Sequence, residues 1–145
     1  MFKHILLATD GSPASAHAAQ LAVDLARVHG AKLTAVYVVD PYPYIGVGEI
    51  NPMGFQAYMS AAQDQASQAH AHVETLCKQG SPIVLEVRLV EEVGAASGIV
   101  QTAETIAADL IVLGSHGRSG IARLMLGSVS TKVVAESKVP VLVTR

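Results

Sequence analysis

Two glycine-bounded steps in the last third of the sequence have the residue types of an anion-binding loop. Gly114-Ser115-His116-Gly117 follows the apolar run Asp109–Leu113, and nine residues later comes Gly127-Ser128. Glycine has no Cβ, so main-chain N–H groups can approach a bound anion. N–H groups that converge at the start of a helix also favour negative charge. The pattern therefore predicts a phosphate cradle directly after a buried strand.

The residues that follow Gly127 favour a cradle over an ordinary turn. Glycines after a strand are also common turn residues, so the spacing alone leaves both interpretations open. Here, however, Ser128-Val129-Ser130-Thr131 brings hydroxyl groups to the start of a predicted helix. Hydroxyl and N–H groups arranged in this way could hold two or three phosphates.

Three polar side chains near the predicted cradle have alternative interpretations. Asp10 follows the first predicted strand, where it could contact a ligand or only cap the first helix. His116 could contact phosphate or carry a proton, or it could be a polar loop residue. Arg118 could pair with a phosphate or be a solvated loop charge.

Other reactive side chains are predicted to be structural or solvated. His70 and His72 stand two apart on a helical pattern and do not share a face, which argues against a metal site. The lone Cys77 excludes an intrachain disulfide, fits a reducing compartment and is predicted to pack inside a helix. Glu91 and Glu92 are predicted to be solvated loop residues.

Several sequence motifs of nucleotide-using and hydrolytic enzymes are absent. The sequence has no Gly-x4-Gly-Lys-Ser/Thr loop, so the predicted phosphates lack the lysine of a P-loop. It has no His-Glu-x-x-His, no paired cysteines and no nucleophile elbow. Gly46-Val47-Gly48 precedes no capped helix and does not match a dinucleotide fingerprint. No general base is evident, so no catalytic residue or metal ligand is predicted.

The predicted cradle has to be held in place by secondary structure. Short apolar runs, which predict strands, alternate along the sequence with helical patterns. The residues of five predicted strands are Ile5–Ala8, Leu33–Val39, Ile83–Val90, Leu110–Leu113 and Val139–Val143. Charge on one face of the third strand predicts a peripheral position, and Pro140 predicts that the last strand lies at an edge.

Four helices are predicted between these strands. The first has Ser12 as N-cap, Pro13 at its first position and Gly30 at its end. The apolar positions of the others run from Phe55 to Leu76, from Ile99 to Ala107 and from Val129 to Val134. Residues Asp40–Gly54 and Glu91–Gly98 are predicted to be loops.

This order of elements predicts one α/β domain over residues 1–145. We expect an open, parallel, Rossmann-like sheet of five strands with right-handed crossovers and helices on both faces. Ligands of such sheets bind at the carboxyl ends of the strands, where the strand order reverses. Asp10 and Gly114 both follow strands, so they border one crevice if the first and fourth strands are neighbours.

Composition excludes several classes of partner. The chain has 145 residues, of which 50% are hydrophobic and 15% charged, with a net charge of −2. Without a cluster of basic residues, nucleic acid or an anionic membrane is not expected as the main partner. No run reaches the length of a transmembrane helix, and the first residues predict a strand rather than a signal peptide. A cytoplasmic protein is therefore expected.

With these motifs in place, the chain resembles the universal stress protein (UspA-like) family from end to end. The resemblance rests on Ile5–Ser12, Val36–Asp40, Asp109–Gly117, Leu126–Ser130 and Val139–Val143. The Gly-x2-Gly-x9-Gly-Ser spacing resembles the branch of that family that binds ATP. The resemblance implies the strand order 3-2-1-4-5 and a homodimer that forms through the last strand.

The resemblance also implies which residues contact ATP. Ala8 and Asp10 would lie against adenine and ribose, and Val38 would contact the adenine. Gly114–Gly117 would surround the ribose and α-phosphate, and Gly127–Ser130 would bind the β- and γ-phosphates.

Two main functions are open at this point. The first is a regulatory stress-response module that binds ATP, or AMP or ADP, with Mg²⁺ and signals to an unidentified protein partner. The second is a slow ATPase or an autophosphorylating phosphotransferase with Ser128, Ser130 or His116 as acceptor. A nucleotide-free structural role is a third alternative. The missing lysine and base favour a loop that holds ATP over one that hydrolyses it.

Overall fold

Five strands alternate with four helices along the chain. The structure is a computed structural model that describes residues 1–41, 52–91, 93–116 and 126–145. The strands are β1 (His4–Ala8), β2 (Lys32–Val38), β3 (Leu85–Val90), β4 (Leu110–Gly114) and β5 (Val141–Thr144). The helices are α1 (Pro13–His29), α2 (Pro52–Lys78), α3 (Ala95–Thr105) and α4 (Ser128–Glu136).

The strands form one parallel sheet in the order β3-β2-β1-β4-β5. This confirms the predicted fold class, the predicted order and the peripheral positions of β3 and β5. In the centre of the sheet, Ile5, Leu6 and Leu7 of β1 are fully buried. Their continuous apolar run is what a strand covered on both faces requires.

Helices cover both faces of the sheet and bury its apolar side chains. α1 and α2 pack on one face, where Val23 and Val73 contact the core that includes Ile5 and Leu33. α3 and α4 pack on the other face, where Ile99 and Val133 join the cluster that includes Leu6. None of the described helices combines the length and the apolar character needed to cross a membrane.

Local signals fix both ends of α1 as predicted. The Ser12 side chain accepts a hydrogen bond from the N–H of Ser15 at 3.2 Å, and Pro13 occupies the first turn. Gly30 ends the helix in the left-handed conformation, with φ +63°. Its N–H donates to the carbonyls of Ala26 and Arg27, which satisfies two carbonyls of the last turn.

The predicted start of α2 is wrong by a few residues. α2 begins at Pro52, within the predicted loop Asp40–Gly54, because the fixed φ of proline suits the first turn of a helix. The rest of that predicted loop, residues 42–51 with Gly46 and Gly48, lies outside the described residues.

Both ends of α3 also differ from the prediction. The helix begins at Ala95, inside the predicted loop, and Gly94 precedes it in an extended conformation. The helix ends at Thr105, and Ala107 has φ +53°, so Ile106 and Ala107 form the turn after it. Glu92 lies outside the described residues.

Each strand differs from its predicted range by one or two residues at one end or both. β2 begins and ends one residue earlier than predicted, at Lys32 and Val38, and β3 begins at Leu85. β5 begins at Val141, after Pro140, because proline has no N–H to donate to a strand ladder.

Candidate functional site

A cavity of about 820 Å³ lies at the carboxyl ends of β1, β2 and β4. This is where the strand order predicts a ligand site, because β1 has β2 on one side and β4 on the other. The predicted site residues that line the cavity are Ala8, Asp10, Val38, Gly114, His116, Gly127, Ser128, Val129 and Ser130. Ser115 lies behind the lining and is buried. Gly117 and Arg118 lie outside the described residues.

Asp10 orders the turn between β1 and α1 at the edge of the cavity. Its Oδ1 accepts a hydrogen bond from the N–H of Ser12 at 2.9 Å. Ser12, rather than Asp10, is the N-cap of α1, and Asp10 supports the turn that leads into the helix. The carboxylate also borders the cavity, where it can accept hydrogen bonds from ligand hydroxyl groups.

A buried pair of hydroxyl groups supports this turn and was not predicted. Thr9 Oγ1 and Ser15 Oγ are 3.0 Å apart, and both residues line the cavity. Thr9 stands directly before Asp10 at the end of an apolar run. A polar residue at the end of a buried strand could have predicted that Thr9 lines the site.

Two glycines of the motif permit close packing within the protein. A Cβ on Gly114 would lie 2.9 Å from the carbonyl carbon of Ala14 in α1. A Cβ on Gly127 would lie 2.8 Å from the carbonyl oxygen of Ser115, to which the N–H of Gly127 donates at 2.7 Å. The sequence predicts that these glycines admit an anion, whereas their described contacts are with α1 and with Ser115.

Ser130 connects α4 to the end of β4. Its buried hydroxyl lies 2.9 Å from the carbonyl oxygen of Gly114 and 3.1 Å from that of Ser115. The single hydroxyl proton is therefore donated within the protein rather than toward the cavity. Ser128, in contrast, is exposed at the cavity, and its hydroxyl has no hydrogen bond to another described residue.

The start of α4 borders the cavity and has no side-chain cap for its main-chain N–H groups. Gly127 is its N-cap, with φ −63° and ψ 160°, and offers no side chain to accept from the first turn. Unsatisfied N–H groups at a helix start carry partial positive charge and attract anions. Ser128, Val129 and Ser130 of this turn all line the cavity. The arrangement suits an anionic group such as phosphate.

A second wall of the cavity has apolar and aromatic side chains, among them Val38, Tyr37 and Tyr58. Val38 lines it, and α3 lies so close that a Cβ on Gly98 would meet both methyl groups of Val38 at 3.0 Å. Tyr58 lines the same cavity, and its Oη donates to the carbonyl of Asp40 at 2.7 Å. Burial, and then the charge of Asp40, raises the pKa of Tyr58. A flat apolar ring could therefore pack against this second wall.

Several residues of this second wall were not predicted from the sequence. Tyr37 Oη donates to Gln65 Oε1 at 3.4 Å, and both residues line the cavity with Tyr58. They meet because the first half of α2 crosses the end of β2, which no local sequence pattern predicts.

The other titratable candidates lie away from the cavity lining. His70 is half-buried, and burial lowers its pKa. Cys77 is buried as predicted, and burial raises the pKa of its thiol. No group of three or more potential metal ligands occurs among residues 1–41, 52–91, 93–116 and 126–145.

Comparison with known proteins identifies the family. The family model described as the universal stress protein family matches residues 1–145. The chain belongs to the universal stress protein family. A universal stress protein of Thermus aquaticus is 39% identical over 146 aligned residues, and the match covers 100% of both chains.

Solved structures of this family share the fold. UspA from Lactobacillus plantarum has a TM-score of 0.80 and 28% identity, over 99% of this chain and 97% of that one. A universal stress protein whose crystal structure is in complex with cAMP has a TM-score of 0.70 and 26% identity. That match covers 99% of this chain and 97% of the other.

Proposed function

We propose that the chain binds an adenine nucleotide, ATP first among them, and acts as a nucleotide-dependent regulatory module in a stress response. The observation that carries this proposal is the start of α4, which opens into a cavity with an apolar wall around Val38. Phosphates suit the first feature and a nucleobase suits the second. The relative that is in complex with cAMP supports the same class of ligand.

Each wall of the cavity takes one part of the nucleotide in this proposal. Ala8 and Val38 lie against the adenine, and the Asp10 carboxylate accepts from ribose hydroxyls. The turn Gly127–Ser130 receives the β- and γ-phosphates through main-chain N–H groups and the exposed Ser128 hydroxyl. Gly114–Gly117 are assigned to the ribose and α-phosphate, and Arg118 to a phosphate.

Mg²⁺ would fit this arrangement as a companion of the phosphates. It usually retains waters and binds one or two carboxylates together with phosphate oxygens. Asp10 and Asp40 line the cavity and are candidates for such a contact. Bound Mg²⁺ would neutralise part of the phosphate charge.

Retention of the nucleotide is favoured over its turnover. The sequence lacks a P-loop lysine, and the Ser130 hydroxyl is buried against two carbonyls, so it is a poor phosphate acceptor. The exposed hydroxyl of Ser128 keeps a second function open, namely slow autophosphorylation. Phosphate release and protein labelling by ATP, compared between the chain and Ser128→Ala, would detect it.

Calorimetric titration with ATP, AMP, cAMP and GTP tests the main proposal. We expect ATP to bind and GTP to bind at least about tenfold more weakly, a difference of about 1.4 kcal/mol. Mass spectrometry of the natively purified protein should find an adenine nucleotide. If a folded sample binds none of the four, the nucleotide proposal fails and a structural role takes its place.

We also propose a cytoplasmic homodimer that pairs through β5 and carries a surface for a regulatory protein. The β5 edge is apolar, with Val141, Leu142 and Val143 partly exposed. At the β3 edge, Lys32 Nζ and Arg88 Nε contact Glu86 at 2.7 and 2.6 Å. Charges protect an edge from pairing, whereas an apolar edge invites it. Light scattering that gives the mass of one chain at working concentration would refute the dimer.

A further inference from the structure

Asp10 is bonded to the start of α1 at two points. Its Oδ1 accepts from the N–H of Ser12 at 2.9 Å, and its own N–H donates to Ser15 Oγ at 3.3 Å. The side chain and the main chain of Asp10 are therefore both held by residues at the start of the helix. Because a hydrogen bond weakens steeply when its angle changes, these two bonds restrict the direction of the carboxylate.

Ser15 Oγ is the atom at which the bonds of this turn meet. It lies 3.0 Å from Thr9 Oγ1, and it donates to the carbonyl of Ser12 at 3.2 Å. A hydroxyl group has one proton, so the Thr9 hydroxyl is the donor in its contact with Ser15. Ser15 Oγ then accepts from two groups, the Thr9 hydroxyl and the Asp10 N–H.

The two hydroxyl groups act within the protein rather than on a ligand. Thr9 is 7% exposed and Ser15 is 4% exposed, and both protons are donated to other protein atoms. Buried polar groups need such partners, whereas valine and alanine at these positions would need none. The contribution that apolar residues could not make is the bond that Ser15 Oγ accepts from the Asp10 N–H.

We propose that Thr9 and Ser15 are positioning residues that orient the Asp10 carboxylate toward the sugar of the bound nucleotide, so that the site selects ribose over deoxyribose. This inference rests on the proposed function, in which Asp10 accepts from ribose hydroxyls, and it adds a selectivity and the residues that set it. A hydrogen bond from a hydroxyl to a carboxylate is roughly twice as strong as one between neutral groups. A deoxyribose lacks one of the hydroxyls that could form this bond.

Calorimetric titration with ATP, 2′-deoxy-ATP and 3′-deoxy-ATP, all in the same Mg²⁺ buffer, measures this selectivity. We expect wild type to bind at least one deoxy analogue about tenfold more weakly than ATP, and Asp10→Asn to reduce that ratio to about twofold. Ser15→Ala should reduce it to about threefold, through weaker binding of ATP with little change for the deoxy analogue. Thr9→Val should reduce it less, because Thr9 acts through Ser15, and Thr9→Ser should keep the wild-type ratio.

Thr34→Val is the matched control for a loss of stability alone. Thr34 is fully buried, and its hydroxyl lies 2.7 Å from His4 Nε2 near the amino ends of β1 and β2. Neither of these two described residues lines the cavity. We expect Thr34→Val to lower the unfolding temperature and to keep the wild-type ratio between ATP and the deoxy analogues. Thermal unfolding of each variant checks that it is folded during the titration.

A double-mutant cycle tests whether Ser15 acts through Asp10. Ser15→Ala should weaken ATP binding in the wild-type background and change it by less than about a factor of two in the Asp10→Asn background. Equal losses of ATP affinity in the two backgrounds would overturn the positioning role. The same conclusion would follow if Ser15→Ala weakened the binding of ATP and of both deoxy analogues by one common factor.

The failures of the two proposals are distinguishable. If wild type binds ATP and both deoxy analogues equally well, the sugar selectivity is wrong and the nucleotide function stands. If wild type is selective and both Ser15→Ala and Thr9→Val keep the full ratio, only the positioning role is wrong. If folded wild type binds none of the three nucleotides, the nucleotide function is wrong and this inference falls with it.

Discussion

The starts of α1 and α4 border the same cavity but are built differently. α1 begins at Ser12, whose side chain accepts from the N–H of Ser15 at 3.2 Å. α4 begins at Gly127, which has no side chain to offer its first turn. Each helix lies next to a residue of the predicted ligand site, Asp10 before α1 and Ser128 at the start of α4.

This difference indicates which of the two helices is available to an anion. A capped helix has satisfied part of its own N–H groups, so a ligand gains less there. An uncapped start retains those donors for a ligand, and the exposed hydroxyl of Ser128 adds another. We therefore infer that the capped start of α1 serves stability and that the uncapped start of α4 serves anion binding.

Gly127→Ala should have the largest effect, and Gly94→Ala is its matched control. Both glycines are N-caps with nearly equal backbone angles, φ −63° and ψ 160° against φ −62° and ψ 151°. A Cβ at 127 would meet the Ser115 carbonyl oxygen at 2.8 Å, whereas a Cβ at 94 meets no described atom within 4 Å. We expect Gly127→Ala to lower the free energy of unfolding by about 1–3 kcal/mol more than the control.

ATP binding should follow the same order, with a loss of at least about tenfold for Gly127→Ala and little change for Gly94→Ala. Urea unfolding and calorimetry measure the two quantities. Equal losses in both variants would show that the contact with Ser115 is not what makes the start of α4 special.

Ser130→Ala should have the next largest effect, on stability. Its hydroxyl lies buried against the carbonyls of Gly114 and Ser115, so its removal takes a buried hydrogen-bond donor from this place, although the Ser115 carbonyl keeps the N–H of Gly127. We expect a loss of about 1–2 kcal/mol in the free energy of unfolding. Thr131→Ala is the control, because its hydroxyl bond to the Gly127 carbonyl is exposed. A control that loses as much as Ser130→Ala would contradict a buried connection between α4 and β4.

Ser12→Ala and Ser128→Ala should separate stability from binding. Loss of the N-cap hydroxyl at Ser12 should cost about 1 kcal/mol of unfolding free energy. Ser128→Ala should change stability by less than about 0.5 kcal/mol. It should nevertheless weaken ATP binding roughly three- to tenfold, while Ser12→Ala leaves the affinity near that of wild type. The opposite outcome would reverse the roles assigned to the two helices.

The smallest effect expected is that of mild acid on the difference in unfolding free energy between wild type and Ser12→Ala. Burial, and then the charge of Lys32, lowers the pKa of His4, and burial lowers that of His70 below the ordinary value of 6.5. The unfolded chain therefore binds protons first, so the free energy of unfolding falls as the pH drops through about 6.5. That part of the stability is fully present above this pH.

Neither helix has an acidic residue in its first turn, so the difference between wild type and Ser12→Ala should stay constant in this range. Urea unfolding at neutral and mildly acid pH measures both slopes. His70→Gln should flatten the slope, and an unchanged slope would exclude His70 as a cause.

Local patterns predicted most of the fold. The fully apolar β1, the helix signals at Ser12 and Gly30, and the proline in front of β5 each act within a few residues. The predicted start of α3 was wrong because Gly94 and Gly98 have the local pattern of loop residues. Gly98 is instead a packing glycine that lets α3 approach Val38, and that contact joins distant parts of the chain.

The candidate site likewise has a part that local sequence patterns could predict and a part that they could not. Asp10 and Gly114 could be predicted together, because both follow strands that the sheet makes neighbours. Tyr58 and Gln65 could not, since they reach the cavity only through the crossing of α2 over β2. Ser115 Oγ lies 3.0 Å from His116 Nδ1, a pair that was visible as residue types but whose geometry depends on Thr144 and on α4.

The packing of Gly114 against α1, and of Gly127 against Ser115, has a consequence for how such sequences evolve. Selection for a stable fold is sufficient to retain both glycines, even in a descendant that has no further use for a ligand. The exposed Ser128 hydroxyl has no such duty among the described residues. If a lineage lost the proposed nucleotide binding, position 128 would drift first, while positions 114 and 127 would stay fixed.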